Sequence, residues 1–206
     1  MDLHISISGL IGAGKSTLCK KIASHLQMQD YYEAVADNPW LPQFYADMKR
    51  HAFGLQIHLL NQRYAQHQRM MWNRKGGVIS DRTIYEDRVF AQVLREGDNM
   101  SQLEYETYLQ LFDNMRNHIR EPDIIIHLDV SPETAFTRIK ERARGMETGI
   151  TLEYLQALHR VYEKFIEDIS KRIPVIRIQW NEFRNVEDVA GMIEETVKSG
   201  IPVRHF

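Results

Sequence analysis

Near its N-terminus the chain reads Gly9-Leu10-Ile11-Gly12-Ala13-Gly14-Lys15-Ser16-Thr17. The spacing matches G-x-x-x-x-G-K-[ST], the pattern of a phosphate-binding P-loop. The three glycines allow backbone N–H groups to approach phosphate oxygens closely. Lys15 supplies a mobile charge for the outer phosphates, and the Ser16 hydroxyl is the usual Mg²⁺ ligand of this motif. The stretch therefore predicts a nucleotide-binding site made of Gly9, Gly12, Ala13, Gly14, Lys15, Ser16 and Thr17.

The residues around this stretch have the order that the motif requires. The segment 3–8 before it alternates β-branched and polar residues and reads as a strand. In the segment after it, Leu18, Ile22 and Leu26 recur at helical spacing. A helix that begins at the loop adds unpaired N–H donors and a favourable dipole for anions. Strand, glycine-rich loop and helix together favour a true P-loop over a glycine-rich turn without a ligand.

Strands and helices alternate along the rest of the chain. Further strands are predicted at 30–35, 78–81, 123–130 and 174–178, and helices at 43–72, 83–95, 101–120, 151–170 and 185–198, with another that opens at 131. This order predicts an α/β fold in one domain, 1–206, with a five-stranded parallel sheet flanked by helices. Ligands of such sheets bind at the carboxyl ends of the strands. Gly9, Glu33 and Asp81 all follow predicted strands, so we expect them to meet in one crevice.

Composition limits the possible classes of protein. The chain has 206 residues, a net charge of −2 and 43% hydrophobic residues, which is ordinary for one globular domain. The charge gives no reason to expect nucleic acid or an anionic membrane as a partner. No apolar run has transmembrane length, and the N-terminus lacks a signal-peptide pattern. The single cysteine, Cys19, excludes an intrachain disulfide and suits a reducing compartment, so we expect a cytoplasmic protein.

Three further clusters carry a family resemblance. They are Glu33, the run 81–88 (Asp-Arg-Thr-Ile-Tyr-Glu-Asp-Arg) and the arginine-rich stretch 138–144 (Arg-Ile-Lys-Glu-Arg-Ala-Arg). Together with the P-loop, and in this order, they resemble the deoxynucleoside kinases over nearly the whole chain. The stretch 37–45 resembles the bacterial branch that acts on deoxyadenosine, deoxycytidine or deoxyguanosine. The resemblance implies a three-layer P-loop kinase fold in which an arginine-rich lid, about 138–150, closes over ATP.

At the phosphate end, the resemblance implies the following roles. Glu33 would be the general base on the deoxyribose 5′-OH, and Asp81 would hold Mg²⁺ together with Ser16. Arg82, Lys15 and Arg142 would act on the transferring phosphate, and ATP would also be bound by Arg138 and Arg144. From the residues alone, a solvated loop residue is the favoured interpretation of Glu33, and the arginines also fit a basic helix end.

At the nucleoside end, the resemblance implies that Tyr45 and Glu147 bind the sugar 3′-OH. Gln56 would bind the base edge, and Arg63 and Asp87 would form a charged pair farther along the base. Gln56 and Arg63 are seven residues apart and share one helix face, although an exposed polar stripe fits the same spacing. Because an ionised Asp87 only accepts hydrogen bonds, it favours a base with an exocyclic amino group over thymine.

The resemblance also implies ATP as the phosphate donor and a homodimer, for which the helices near 51–72 and 101–118 are the candidates. Two other functions remain open. A nucleoside monophosphate kinase of the thymidylate kinase type shares the P-loop, the Asp-Arg segment and the lid. It differs in its acceptor, which is already ionised and needs no base such as Glu33. A non-catalytic ATP-binding regulatory protein would lack some catalytic residues, and none is visibly missing.

Overall fold

The computed structural model of the chain describes residues 3–32, 38–72, 75–142 and 149–199, and the backbone of 203–205. The strands are β1 His4–Gly9, β2 Gln29–Tyr31, β3 Val78–Asp81, β4 Ile124–Asp129, β5 Val175–Gln179 and β6 Val203–His205. They form one sheet in the order β2-β3-β1-β4-β5-β6, and every neighbouring pair is parallel. The predicted parallel sheet is confirmed. The structure adds β6, a sixth strand in a tail for which the sequence pattern predicted no element.

The helices are α1 Lys15–Leu26, α2 Leu41–Ala46, α3 Met48–Trp72, α4 Asp87–Glu96, α5 Gln102–Arg116, α6 Pro132–Arg142, α7 Leu152–Ile169 and α8 Val186–Ser199. The single helix predicted for 43–72 is in fact two helices, α2 and α3. Asp47 separates them because its backbone is extended and its carboxylate accepts a hydrogen bond from the Arg50 N–H, as a helix N-cap does. The helix predicted from 83 begins with a short 3-10 turn, Ile84–Glu86, before α4.

Alternate residues of the sheet enter two hydrophobic cores, one on each face. On β4, Ile124, Ile126 and Leu128 pack into one core together with α1 and α8. Ile125, between them, packs into the other core with residues of α3 and α5. Every position of β4 is therefore buried, which explains its long apolar run. Helices on both faces of a parallel sheet give the three layers that the sequence predicted.

The polar residues that alternate along β1 lie on the face of the sheet that carries the second core. The Ser6 hydroxyl is 2.7 Å from the Ser80 hydroxyl on β3, and the Ser8 hydroxyl is 3.3 Å from His127 Nδ1 on β4. The His4 ring lies edge-on to the His67 ring of α3, with centroids 5.5 Å apart. Because these buried groups bond mainly to one another, the strand tolerates polar residues at positions that parallel sheets usually fill with apolar ones.

The three buried histidines His4, His67 and His127 should make the protein less stable in mild acid. Burial lowers the pKa of His4 to about 4, and those of His67 and His127 to about 3, from 6.5 in an unfolded chain. Below pH 6.5 the unfolded state therefore binds protons at these histidines, whereas the folded state does not. We expect the free energy of unfolding to fall by about 2 kcal/mol for each histidine between pH 7 and pH 5, as measured by urea unfolding. Carboxylates contribute little in this range.

The matched controls for this prediction are two single variants. His67→Phe should reduce the fall in the free energy of unfolding between pH 7 and pH 5 by about 2 kcal/mol, the share of one buried histidine. His118→Gln, which removes an exposed histidine outside this cluster, is the comparison variant. Equal stability of the wild type at pH 7 and pH 5 would contradict the prediction.

Parallel strands place the loops after β1 and β3 at the same edge of the sheet. Ile7 pairs with Asp81 across these strands, so the P-loop and the Asp81-Arg82 segment are direct neighbours. Strand β2 ends at Tyr31 and not at the predicted 35, and Glu33 lies outside the described residues. Among the residues that the structure describes, no helix combines the length and apolarity that crossing a bilayer requires.

Candidate active site

The P-loop, residues 9–17, leads from β1 into α1, and at two of its positions there is no room for a side chain. Gly9 and Gly12 both have positive φ angles, of 141° and 83°. A Cβ atom on Gly9 would lie 2.8 Å from the Leu128 carbonyl oxygen, and one on Gly12 would lie 2.6 Å from that of Ala135. These positions need glycine both for the backbone angle and for space. Ala13 and Gly14 complete the loop, and α1 begins at Lys15 with its first N–H groups toward it.

Lys15 and Arg82 converge on this loop. Lys15 is buried, and its ammonium group donates a hydrogen bond of 2.7 Å to the Leu10 carbonyl. Arg82 is also buried and has a φ of 76°, which is unusual for a residue with a side chain. Its Nη1 atom is 3.0 Å from the Gly9 carbonyl oxygen, and its guanidinium lies 4.9 Å above the Phe90 ring. Two cations are thus held at the end of the loop where phosphates would bind.

Ser16 and Asp81 form a second feature beside the loop. The Ser16 hydroxyl donates a hydrogen bond to Asp81 Oδ2. The other carboxylate oxygen, Oδ1, is buried, and no described residue donates a hydrogen bond to it. A buried carboxylate oxygen without a donor is costly unless a cation binds there. A hydroxyl and a carboxylate are oxygen ligands that Mg²⁺ accepts, so this pair fits the ion. Thr17 is exposed on the outer side of α1.

The two described lid arginines lie in different places. Arg138 donates hydrogen bonds of 3.0 and 2.9 Å to the carbonyls of Trp180 and Asn181, after β5, and its guanidinium lies 4.2 Å above the Phe183 ring. A weaker contact of 3.4 Å reaches the Ala13 carbonyl of the P-loop. Arg142 instead lines the pocket described next, four residues farther along α6. Arg144 lies outside the described residues.

A pocket extends from the P-loop toward α3 and α4. At its inner end Arg63 Nε donates to both carboxylate oxygens of Asp87, at 2.8 and 3.0 Å, and both side chains are buried. Gln56 is 2% exposed and Arg63 is 4% exposed, so the exposed polar stripe that the sequence left open is wrong. The pocket is lined by residues from both ends: Gly12, Lys15, Ser16, Tyr45, Leu55, Gln56, Arg63, Asp81, Arg82, Asp87, Phe90 and Arg142.

Tyr45 joins this pocket to the C-terminal end of the lid segment. A Cβ atom on Gly149 would lie 2.8 Å from Tyr45 Cβ, so the backbone at position 149 rests against this tyrosine. Position 147, whose residue Glu147 was predicted to act with Tyr45, is only two residues away but outside the described residues. The structure thus brings together all the described residues of the predicted nucleoside site.

Comparison with known proteins supplies the family. The family model for deoxynucleoside kinases matches residues 5–202. A deoxyadenosine kinase of Dictyostelium discoideum is 51% identical over 95% of this chain and 80% of its own length. A deoxyadenosine/deoxycytidine kinase of Bacillus subtilis is 34% identical over 89% of this chain and 85% of its own. This chain belongs to the deoxynucleoside kinase family.

Solved structures agree with this assignment. A deoxyadenosine kinase from M. mycoides with bound dATP superposes with a TM-score of 0.83 at 33% identity, over 96% of this chain and all of the other. The same protein with dCMP and dCDP gives a TM-score of 0.84 at 32% identity, with the same coverage. As a member of this family, the chain is an ATP-dependent phosphotransferase with deoxynucleoside kinase function.

Two residues near the P-loop received no role from the sequence. Glu86 Oε2 lies 3.2 Å from Arg82 Nη1, and the Tyr162 hydroxyl of α7 lies 2.6 Å from the same nitrogen. The spacing of four residues between Arg82 and Glu86 is a signal that pattern analysis could have used. For Tyr162, 80 residues from Arg82, the sequence carries no such signal.

Proposed function

We propose that the protein transfers the γ-phosphate of ATP to the 5′-OH of deoxyadenosine, with deoxycytidine and deoxyguanosine as weaker acceptors, in nucleotide salvage. The observation that carries this proposal is the buried Arg63–Asp87 pair beside Gln56, at the end of the pocket away from the P-loop. Three polar side chains at this end of the pocket suit the edge of a base better than a sugar or a phosphate. The 51% identity to a deoxyadenosine kinase supports the same choice.

The hydrogen-bonding groups of the bases explain the preference. Adenine and cytosine each carry an exocyclic amino group that donates to a carboxylate such as that of Asp87. Thymine carries a carbonyl oxygen at the corresponding position, which a buried carboxylate would repel. A site built around a donor on the substrate discriminates strongly against an analogue that lacks it, since a buried acceptor then loses one of its hydrogen bonds. Gln56 can both donate to and accept from the base edge.

At the other end of the pocket, each residue has a role in phosphoryl transfer. Glu33 accepts the proton of the 5′-OH, and Tyr45 and Glu147 hold the 3′-OH. Lys15, Arg82 and Arg142 stabilise the charge that develops on the phosphate, in a site from which the lid, about 138–150, excludes water. Arg138 and Arg144 bind ATP. The support is that Lys15, Tyr45, Arg82 and Arg142 line one pocket, together with the family to which the chain belongs.

Magnesium is the cofactor that we propose for Ser16 and Asp81. Asp81 Oδ1, which no described residue hydrogen-bonds, and the adjacent hydroxyl supply two oxygen ligands beside the P-loop. When bound, Mg²⁺ neutralises charge on the β- and γ-phosphates. Ser16 and Asp81 then orient the ion relative to the phosphates.

Base discrimination can be tested at Asp87. In Asp87→Asn the side chain keeps its shape but gains two N–H donors in place of an acceptor. We expect the preference in kcat/KM for deoxyadenosine over thymidine to fall by about tenfold to a hundredfold. The control is Asp98→Asn, which changes an exposed carboxylate, 91% accessible, at the other end of α4. An unchanged substrate profile in Asp87→Asn would argue against the proposed contact.

The reaction itself is tested by a phosphorylation assay with ATP on purified protein. The acceptors are deoxyadenosine, deoxycytidine, deoxyguanosine, thymidine and thymidine monophosphate, and Glu33→Ala is the comparison variant. Turnover of deoxyadenosine that is abolished in Glu33→Ala supports both the proposed reaction and the proposed preference for adenine. If another nucleoside is phosphorylated faster than deoxyadenosine, only the proposed nucleobase preference is wrong. ATP binding without turnover of any acceptor supports the regulatory alternative.

We also propose that the protein is cytoplasmic and a homodimer. Cys19 is buried and unpaired with another cysteine, as suits a reducing compartment. Of the helices predicted for the dimer contact, α5 buries only Tyr108 and Phe112 of its apolar residues, and others on α3 and α5 are only partly buried against the second core. A groove of about 480 Å³ opens beside α5, between α4 and α7, and Phe112 and Phe165 line it. Light scattering should give a mass twice the 24.3 kDa of one chain; a single-chain mass would contradict the dimer.

A further inference from the structure

The Arg82 guanidinium is held from several sides within the protein. Nη1 alone lies within hydrogen-bond distance of the Gly9 carbonyl, the Glu86 carboxylate and the Tyr162 hydroxyl. The ring of Phe90 covers one face of the group. A flexible side chain with a strained backbone angle is thus fixed in one orientation, next to the loop that binds phosphate.

Tyr162 reaches this position from α7. Its hydroxyl accepts from Arg82 at 2.6 Å and donates to Glu86 Oε2 at 2.8 Å. Burial raises the pKa of Tyr162 well above its usual range, so the hydroxyl keeps its proton and remains a donor to Glu86. The rings of Phe90, His127 and Phe165 surround the tyrosine ring, with centroids 5.8 to 6.3 Å away. The ring is therefore held by packing, while the hydroxyl makes the hydrogen bonds to Arg82 and Glu86.

Glu86 completes the arrangement. Its side chain is fully buried, and each carboxylate oxygen has a separate task. Oε1 accepts from the Thr83 N–H at 2.9 Å, which fixes the turn after β3. Oε2 accepts from Tyr162 and faces Arg82. A buried carboxylate is stable here because a cation and two neutral donors surround it.

We propose that Tyr162 and Glu86 are positioning residues of the kinase, which orient the Arg82 guanidinium toward the transferring phosphoryl group. Catalytic electrostatics depends on charges that are already oriented before the reaction, because reorienting them would add to the barrier. A displaced Arg82 would still attract ATP but would meet the transition state poorly. This inference rests on the phosphoryl transfer of the proposed function and not on the choice of base.

The first test is Tyr162→Phe, which keeps the packed ring and removes the hydroxyl. We expect kcat to fall about tenfold, with the KM values for nucleoside and ATP changed less than twofold, since the loss affects the transition state. The matched control is Tyr108→Phe, another fully buried tyrosine, whose hydroxyl has no hydrogen-bond partner among the described residues. It should leave kcat unchanged. A kcat of Tyr162→Phe equal to that of the wild type overturns the inference.

The second test separates positioning from general stability. In an Arg82→Lys background, Tyr162→Phe should cost less than twofold further in kcat, because the group that it positions is gone. A full tenfold loss in that background would show that Tyr162 acts independently of Arg82 and would overturn the inference. If Tyr162→Phe does not fold, Glu86→Gln, which keeps the shape of the side chain, takes its place in the same cycle.

Both tests use whichever deoxynucleoside the wild type phosphorylates fastest. A wild type that phosphorylates none of them overturns the proposed function, and the positioning roles with it. If the wild type phosphorylates one of them but the variants do not give the losses in kcat expected above, only the positioning roles are overturned.

Discussion

Replacing Lys15 by methionine is expected to lower kcat by about a thousandfold or more while the protein remains folded. Methionine has a similar length, and the Lys15 side chain is already buried beside the P-loop, so packing changes little. What is lost is the charge that follows the phosphoryl group through the transition state, and such preorganised charges are worth about a hundredfold to a hundred-thousandfold in comparable sites.

The measurement is kcat with saturating ATP and the preferred deoxynucleoside, alongside the thermal unfolding temperature. Lys21→Met is the control because it changes an exposed lysine of the same helix; its kcat should match that of the wild type. A Lys15→Met enzyme within tenfold of wild-type kcat would contradict the assignment of Lys15 to phosphate binding.

Replacing Arg63 by methionine is expected to affect both stability and substrate use. The change leaves Asp87 buried without its cationic partner, and breaking a buried ion pair in this way costs about 3 to 5 kcal/mol of unfolding free energy. We also expect kcat/KM for deoxyadenosine to fall by at least about a hundredfold, because Asp87 loses the orientation that Arg63 imposes at 2.8 Å.

Urea unfolding and the phosphorylation assay test the two effects separately. The double variant Arg63→Met/Asp87→Leu removes both charges and should recover most of the stability but none of the activity. The control, Arg95→Met, breaks an exposed ion pair with Asp98 and should cost less than about 1 kcal/mol. A stable and active Arg63→Met enzyme would show that the pair is not needed at the base end of the pocket.

Much of the site was predictable because its signals are local. The P-loop needs glycines at fixed spacing, and the structure shows why at Gly12, where a Cβ atom would meet the Ala135 carbonyl oxygen at 2.6 Å. Asp81 follows a short buried strand, and in a parallel sheet such a position is directed to the ligand edge. The family resemblance placed Gln56, Arg63 and Asp87 at one site, whereas spacing alone favoured an exposed polar stripe for Gln56 and Arg63.

Other expectations failed where a single local signal competed with a longer pattern. The helical periodicity of 43–72 continues through Asp47, but the cap that its carboxylate forms ends one helix and starts the next. The polar residues of β1 were unusual for a parallel strand until the opposite side chains, on β3, β4 and α3, were known.

The sequence by itself determined the phosphate-binding loop, the parallel α/β fold and the family, because each depends on residue type at short, fixed spacing. The tertiary structure alone decided which groups surround each charge. It placed Tyr162 against Arg82 across 80 positions, and it separated Arg138 from Arg142 although both are on α6. Such contacts depend on how α6 and α7 pack against the sheet, and packing is a property of the whole chain that no local pattern records.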